Sequence, residues 1–345
     1  MQAATREAFN SYLERQAELN GVLERTVAAG AKFTVEPSVQ QKLIDKQQES
    51  SEFLSKINLV QVDEMQGEIL GLGVSGPIAS RTNTALADRT TIDPSAMDER
   101  GYACVQTNSD THLTYGKLDA WAKFPDFQVR IRNQIVTRQA LDRIMIGFNG
   151  VGAAAATDRA ANPLLQDVNK GWLHHLRQYG GGSHVISGGD VENGKIIIAA
   201  DGDYKNLDAL VVDTVYQLLP SWARNDTNLV AIIGGDLMHE KYLPLIDREQ
   251  KPTEEVALDM VLSRKQIGGK TGVMVPFMPE TSILVTRLDN LSIYEQRGKR
   301  RRTIVDNAKR DRVENFESTN DAYVIENYDY ACLIENVQIG RTEAE

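Results

Sequence analysis

The stretch from Pro125 to Phe148, PDFQVRIRNQIVTRQALDRIMIGF, constrains this chain more than any other. Phe127, Ile131 and Ile135 recur at helical spacing, and Leu141, Met145 and Phe148 resume the same face. Arg130, Arg132, Arg138 and Arg143 take other positions. The pattern predicts one long helix. Pro125 suits a first helical turn, where its missing N–H is not needed, and Asn149-Gly150 predicts a left-handed stop. At about 1.5 Å per residue the helix would be roughly 36 Å long. A compact chain of this length has a radius of gyration of only about 20 Å. The helix must cross most of the molecule, either as a spine or as the long core helix of an ordinary domain, and the flanking segments decide between the two.

The 345 residues are enough for a sizeable core and allow two domains. With 41% hydrophobic and 25% charged residues the chain reads as a soluble globular protein. Lys and Arg total 38 against 48 Asp and Glu, so the net charge of −10 opposes general binding to a polyanion. Cys104 and Cys332 are too few and too far apart for a disulfide framework or a zinc site, which fits a reducing cytoplasm. No apolar run is long enough to span a bilayer, and acidic residues stand where a signal peptide would have its apolar core.

Residues Thr5 to Leu19 predict a short amphipathic helix with Phe9, Tyr12 and Leu13 on its apolar face and a stop at Asn20-Gly21. The small-residue run Val27-Ala28-Ala29-Gly30-Ala31-Lys32 predicts an exposed connector, the kind of segment proteases cut. Glu36-Pro37 starts extended, and a helix follows from Val39 to Phe53. Strand-like stretches at Ile57–Val74 and Tyr102–Leu118 flank a polar tip from Ser75 to Gly101. Two paired strands of that length, at about 3.3 Å per residue, would reach over roughly 30 Å. Their faces are only patchily apolar, so the hairpin needs either its own domain or a neighbouring molecule to lie on.

Beyond the spine a boundary at Asn162-Pro163 leads to a predicted helix, Leu164–Tyr179, and a break at Gly180-Gly181-Gly182. Glu192-Asn193-Gly194-Lys195 predicts a hairpin turn before the strand Ile196–Ile198. Leu207 to Leu218 predicts a helix, Leu229 to Ile233 a buried strand, and Leu237–Ile246 and Glu254–Gln266 further helices. From Gly272 onward the short apolar runs VMVPF, SILVT, LSIYE, RRTIV and YACLIENVQI predict an antiparallel sheet. A helix early, strands late and a mixed insertion between them suggest one discontinuous domain built from the spine and the tail.

Few motifs carry chemistry. Gly71-Leu72-Gly73-Val74-Ser75-Gly76 fits G-x-G-x-x-G, the dinucleotide-binding fingerprint of a nucleotide-dependent enzyme, but Pro77-Ile78-Ala79-Ser80 shows no helical period where the fingerprint needs a helix N-terminus. Asp236, His239 and Glu240 share a predicted helix, and His174-His175 lies on another. Leu243 stands where H-E-x-x-H would need its second His. Arg297, Lys299, Arg300, Arg301 and Arg302 form one basic cluster. It is a candidate phosphate surface for nucleic acid, or else a solvated turn or an ion-pair patch.

Several long stretches, in order, resemble the major capsid proteins of peduovirus-type tailed bacteriophages. They are FNSYLERQAELNG, KFTVEPSVQQKLIDKQQESSEFLSKIN, WAKFPDFQVRIRNQIVTRQALDRIMIGFNG, NPLLQDVNKGWL, LDNLSIY and RDRVENFESTNDAYVIENY, and they run from the first helix to about Ile339. The resemblance implies an α+β chain with the Hong Kong 97 capsid fold. Residues 1–31 would be a cleaved maturation peptide, 32–60 an N-arm and 61–117 an extended E-loop. Residues 118–150 and 270–345 would form a P-domain with the spine helix and an antiparallel sheet, and 151–269 a mixed α/β A-domain. The implied partners are other copies of the chain in hexamers and pentamers, an internal scaffold with a maturation protease, a portal at one vertex, and packaged double-stranded DNA enclosed without sequence-specific binding. The implied processing junction is Ala31-Lys32-Phe33. No cofactor, metal, membrane or catalytic residue is implied. The protein would belong to the virion and assemble in the cytoplasm of the bacterial host.

Overall fold

The computed structural model describes residues 1–49, 51–68, 101–121, 127–246 and 265–340, with short pieces between 69 and 100 (73–74, 79–84, 86, 88–91 and 95–96). Most of the predicted helix at Glu254–Gln266, the start of the spine at Pro125 and about half of the polar tip lie outside the described residues, and Gln266 itself is strand instead of helix.

The spine is a helix of 23 residues, Phe127–Asn149. Burial is concentrated in its second half, where Val136, Ala140, Ile144, Met145, Ile146 and Phe148 face the interior, whereas Ile131, Ile135 and Leu141 are only half-buried. The apolar stripe is therefore displaced from the one the spacing predicts. The displacement brings Arg143, which the spacing placed among the polar positions, into the interior. Gly150 is not left-handed as expected. A Cβ there would stand 2.2 Å from the carbonyl oxygen of Asn169, so glycine is required by the close passage of the returning chain.

Trp172 opens the helix Trp172–Gln178 and is the largest fully buried side chain. Its ring meets Phe148, Tyr323 and Phe53 edge-on, with centroids 5.3, 5.5 and 6.1 Å away, and its Nε1–H donates to the Ser292 carbonyl at 3.0 Å. It lies against Gly147 of the spine, where a Cβ would come within 2.3 Å of the indole. The helix starts later than predicted because Leu165 takes a left-handed backbone, φ 57°, and the chain turns repeatedly until Gly171.

The tail, expected as one antiparallel sheet, divides between two main sheets, and its last strand, Val337–Ile339, pairs in parallel with Ile196–Ile198 apart from both. The first sheet runs Phe33–Thr34, Arg301–Asn307, Arg312–Ile325, Leu291–Gln296, Asn58–Val62, with Val105–Asn108 and Thr111–Thr114 also paired to the long strand. That strand, of 14 residues, has no counterpart among the predicted strands. The second sheet runs Gln266–Ile267, Lys270–Met274, Leu229–Ile233, Ile283–Arg287, Cys332–Ile334, Val185–Ile186. Alternation along its strands feeds two cores. Ile232, Leu284 and Leu333 join the spine, Trp172 and the first sheet's Ile293 and Ile325 in one cluster. Ala231, Ile233, Ile283, Val285, Cys332 and Ile334 join Leu210, Val211 and Val215 of the helix Leu207–Leu218 in the other. The predicted turn before Ile196 forms, with Gly194 at φ 80°.

Candidate assembly and processing sites

The N-terminal region packs on its own chain. The helix Ala3–Leu19 ends at Gly21, which is left-handed at φ 61° as expected, and a short helix, Glu24–Ala28, follows. The connector is therefore less open than its small residues suggest, because Val27 is only 1% exposed. Leu13, Ala17, Val27, Phe33 and Ile304 form a small core of their own, with Phe9, Tyr12, Val22 and Val313 against it. At the expected junction Ala31 and Lys32 are exposed, while Phe33 is 5% exposed and pairs as a strand residue with Arg302.

The hairpin rises from the edge of the first sheet. Gln66–Glu68 pairs with Gly101–Ala103, and Gly73–Val74 with Ser95–Ala96. Its root is fixed by Cys104, which is fully buried with Ala322 and Val324, and by Tyr102, whose ring meets Tyr294 edge-on at 5.0 Å. Burial pushes the Cys104 thiol up to about 12, with Asp321 and Glu295 adding to the shift, so it is an unreactive core residue. Farther out, Gln66, Glu68 and Gly101 are exposed, and Tyr102 covers Gly67 so closely that a Cβ there would meet the ring at 2.9 Å. The stretch expected as a strand to Leu118 returns to the long strand of the first sheet and then becomes the helix Tyr115–Trp121.

Where arm, spine and sheet meet, the interior is polar. Arg143 is ion-paired to Glu295, lies 3.2 Å from Asp321 and donates to Gln47 Oε1 at 2.8 Å. Arg300 is ion-paired to Glu317, with its Nε–H donating at 2.7 Å, and its Nη2–H donates to Gln139 Oε1 at 3.3 Å. Gln40 Nε2 donates to Glu295 Oε1 at 2.7 Å, Gln47 Nε2 to Gln139 Oε1 at 2.9 Å, and Thr319 Oγ1 to Asp321 at 2.8 Å. All these side chains are buried. Burial pushes Glu295 up, but Arg143 and Arg300 more than offset it and hold the carboxyl below the ordinary glutamate range. Glu317 behaves alike, with Arg300 and Arg302 outweighing burial. Asp321 goes the other way: burial raises it despite Arg143.

No reading of apolar periods finds this knot. One signal existed, in the arm helix Pro37–Glu49: Gln40, Ile44 and Gln47 stand at i, i+4 and i+7, and all three are buried. The knot also divides the basic cluster, since Lys299 and Arg301 stay exposed while Arg300 is drawn inside. Arg300 is 1% exposed inside it, Arg302 donates to Asn315, Gln16 and Tyr12, and Arg297 lies 3.3 Å from Asp63.

Among the described residues, the remaining candidates come together in no site. Gly73–Val74 is strand rather than a loop opening a helix, and the rest of the 71–76 motif lies outside the described residues. Asp236 and His239 are exposed on the helix Gly235–Ile246, and the Glu240 side chain lies outside the described residues. Burial, followed by His174 and Lys170, pushes His175 down to about 4, so it is neutral. Among the described residues no group of three or more His, Cys, Asp or Glu could hold a metal, and no helix is long and apolar enough to cross a membrane.

Comparison with known proteins agrees with this architecture. The family model described as "Phage major capsid protein, P2 family" matches residues 8–337. The chain is 46% identical to the capsid protein of Escherichia phage P2, over 99% of this chain and 96% of that one. It is 39% identical to the major capsid protein of Serratia phage KSP20, over 99% of each. Among solved structures, a chain of the satellite phage P4 procapsid including size determination (Sid) protein superposes with a TM-score of 0.81 at 44% identity, over 99% of both chains. A chain of the cyanophage A-1(L) capsid asymmetric unit shares the fold alone, with a TM-score of 0.52 at 11% identity over 81% of this chain and 90% of that one.

A spine helix, the helix Pro37–Glu49 packed on it, a hairpin off the sheet edge and a second, mixed sheet define a viral capsid subunit of the Hong Kong 97-like class. Such subunits are structural, and they act by associating with copies of themselves. This chain belongs to the P2 family of phage major capsid proteins and is a component of the virion.

Proposed function

We propose that the chain builds an icosahedral procapsid as hexamers and pentamers, around an internal scaffold carrying a maturation protease and with a portal at one vertex. The shell assembles in the host cytoplasm, is cut near Ala31-Lys32-Phe33, and expands as double-stranded DNA is packaged. In this reading 1–31 is the maturation peptide, 32–60 the arm and 61–117 the extended loop. Residues 118–150 with 270–345 and residues 151–269 are the two domains.

The observation that carries the reading is the hairpin, which has a buried root and exposed outer strand residues and so needs a neighbouring subunit to lie on. Exposure of Ala31 and Lys32 between the buried Val27 and Phe33 supports a cut there, since a protease can reach that bond without opening either large core. A net charge of −10 suits a container that holds DNA without adhering to it. With Arg300 buried and Arg302 and Arg297 paired within the chain, the basic cluster offers a smaller candidate nucleic-acid surface than its five residues suggest, with Lys299 and Arg301 exposed.

Electron microscopy of the protein co-expressed with its scaffold, and mass spectrometry of subunits from immature and DNA-filled particles, test the proposal. Closed shells and a mature chain starting near Lys32 are expected. A monomer in the presence of scaffold would overturn the assembly, and an intact N-terminus in filled particles would overturn the processing.

A further inference from the structure

Residues 33–49 are held at two ends by different means. The far end is tied into the buried knot through Gln40 and Gln47. The near end has little of its own. Phe33 and Thr34 pair with Arg302 and Arg301, and the Val35 N–H donates to the Arg300 carbonyl at 2.8 Å. A pairing of two residues is far too short to hold a chain in water by itself. What fixes it is the segment before it. Leu13, Ala17 and Val27 enclose the Phe33 ring against Ile304, and Asn20 Oδ1 accepts the Glu36 N–H at 3.2 Å.

That segment is itself latched to the first sheet and to the helix Tyr115–Trp121 by contacts spread along its length. Arg302 donates to Tyr12 Oη at 2.7 Å and to Gln16 Oε1 at 2.9 Å. Arg6 is ion-paired to Asp306, which also accepts from the Tyr115 hydroxyl. The Gln2 N–H donates to Asp119 at 2.9 Å. Gly30, left-handed at φ 69°, lies on the outer side of the strand Arg301–Asn307. A Cβ there would be 3.3 Å from Val305 Cγ2 and 3.5 Å from the Ile304 carbonyl oxygen. An outer strand exposes unpaired main-chain groups unless something covers it, and here the cover is the segment's own backbone.

We infer that residues 1–30 are a detachable cap that covers the outer edge of the strand Arg301–Asn307 and pins the near end of the arm, so that severing the chain at Ala31-Lys32 converts an arm fixed at both ends into one fixed only at the knot. The apolar face of Phe9, Tyr12 and Leu13 is thereby assigned to the chain's own sheet, not to a scaffold. The meaning of the switch in the phage rests on the processing proposed above, but the cap itself does not.

Amide hydrogen exchange on the full-length protein tests it. The chain is prepared with the recognition sequence of an unrelated protease inserted at Ala31-Lys32, folded, and cut afterwards. Cutting should release the segment and raise exchange at residues 33–36 and 303–307 by about tenfold or more, while residues 140–148 and 229–233 stay unchanged. Unchanged exchange at 33–36 once the segment has left would overturn the inference.

A segment that stays bound after cutting is addressed by Leu13→Asp in the uncut chain, which removes the apolar anchor and should produce the same local rise. Protection that persists in this variant would also overturn the inference. Arg6→Asp should raise exchange at 303–307, and Arg6→Asp with Asp306→Arg should lower it again. An intact N-terminus in natural mature particles would defeat the processing proposal alone and leave these readouts standing.

Discussion

Arg143, on the spine helix, lies 3.2 Å from Asp321, on the long strand of the first sheet, with both side chains buried. With Glu295, Arg300 and Glu317 they place three carboxylates against two guanidiniums in one interior cluster. Removing one partner of such a cluster leaves a buried charge without compensation. Arg143→Met should therefore destabilise the subunit by about 3–5 kcal/mol. Arg138→Met, which breaks the more exposed pair with Asp142 on the same helix, should change stability by less than about 1 kcal/mol. Urea unfolding of unassembled subunits reads both.

The cluster also sets an acid limit. Glu295 and Glu317 are held below the ordinary glutamate value of 4.5, so the stability they contribute is present above that value and is lost as the pH falls through their folded values. Asp321 is raised above 3.8, so its contribution is complete below that value and fades as the pH rises past its folded one. The two glutamates set the expectation that stability falls in acid. Glu317→Gln should be less stable than the parent at neutral pH and converge on it in acid. Unfolding midpoints across the acid range test this, and curves that stay parallel would refute it.

Gly147 admits the Trp172 ring at the crossing of the spine with the helix Trp172–Gln178. Since a Cβ would lie 2.3 Å from the indole, Gly147→Ala should cost about 1–3 kcal/mol through overpacking. Adding Trp172→Phe should recover part of the loss, because a smaller ring leaves room for the methyl group. Thermal unfolding of the two single variants and the double variant measures the coupling.

Deleting residues 69–100 should leave a folded subunit that cannot close shells. The hairpin root retains Cys104, Tyr102 and Tyr294, and among the described residues neither large core includes one from the deleted stretch. Circular dichroism should match the parent while microscopy shows no closed particles. Normal particles would contradict the role given to the hairpin.

Much of this fold is legible locally. The spine, the helix Leu207–Leu218, the strand Leu229–Ile233 and the turns at Gly21 and Gly194 follow from apolar spacing and from glycine's freedom at positive φ. Each depends on neighbours within a few residues, so the sequence by itself determines it. The strand Arg312–Ile325 is different. Its run RVENFESTNDAYVI shows no apolar alternation until its end, because Glu317, Thr319 and Asp321 fill inward positions with polar groups. Those groups are tolerable inside only because Arg143 approaches from 178 residues away in the chain and Arg300 from the residue just before the neighbouring strand. The division of the tail between two sheets, the shift of the spine's buried face and the seat of Trp172 on Gly147 have the same origin. A single sequence records which residues prefer water, but it does not record which distant partner will satisfy a charge or fit a ring, and only the tertiary structure decided those pairings.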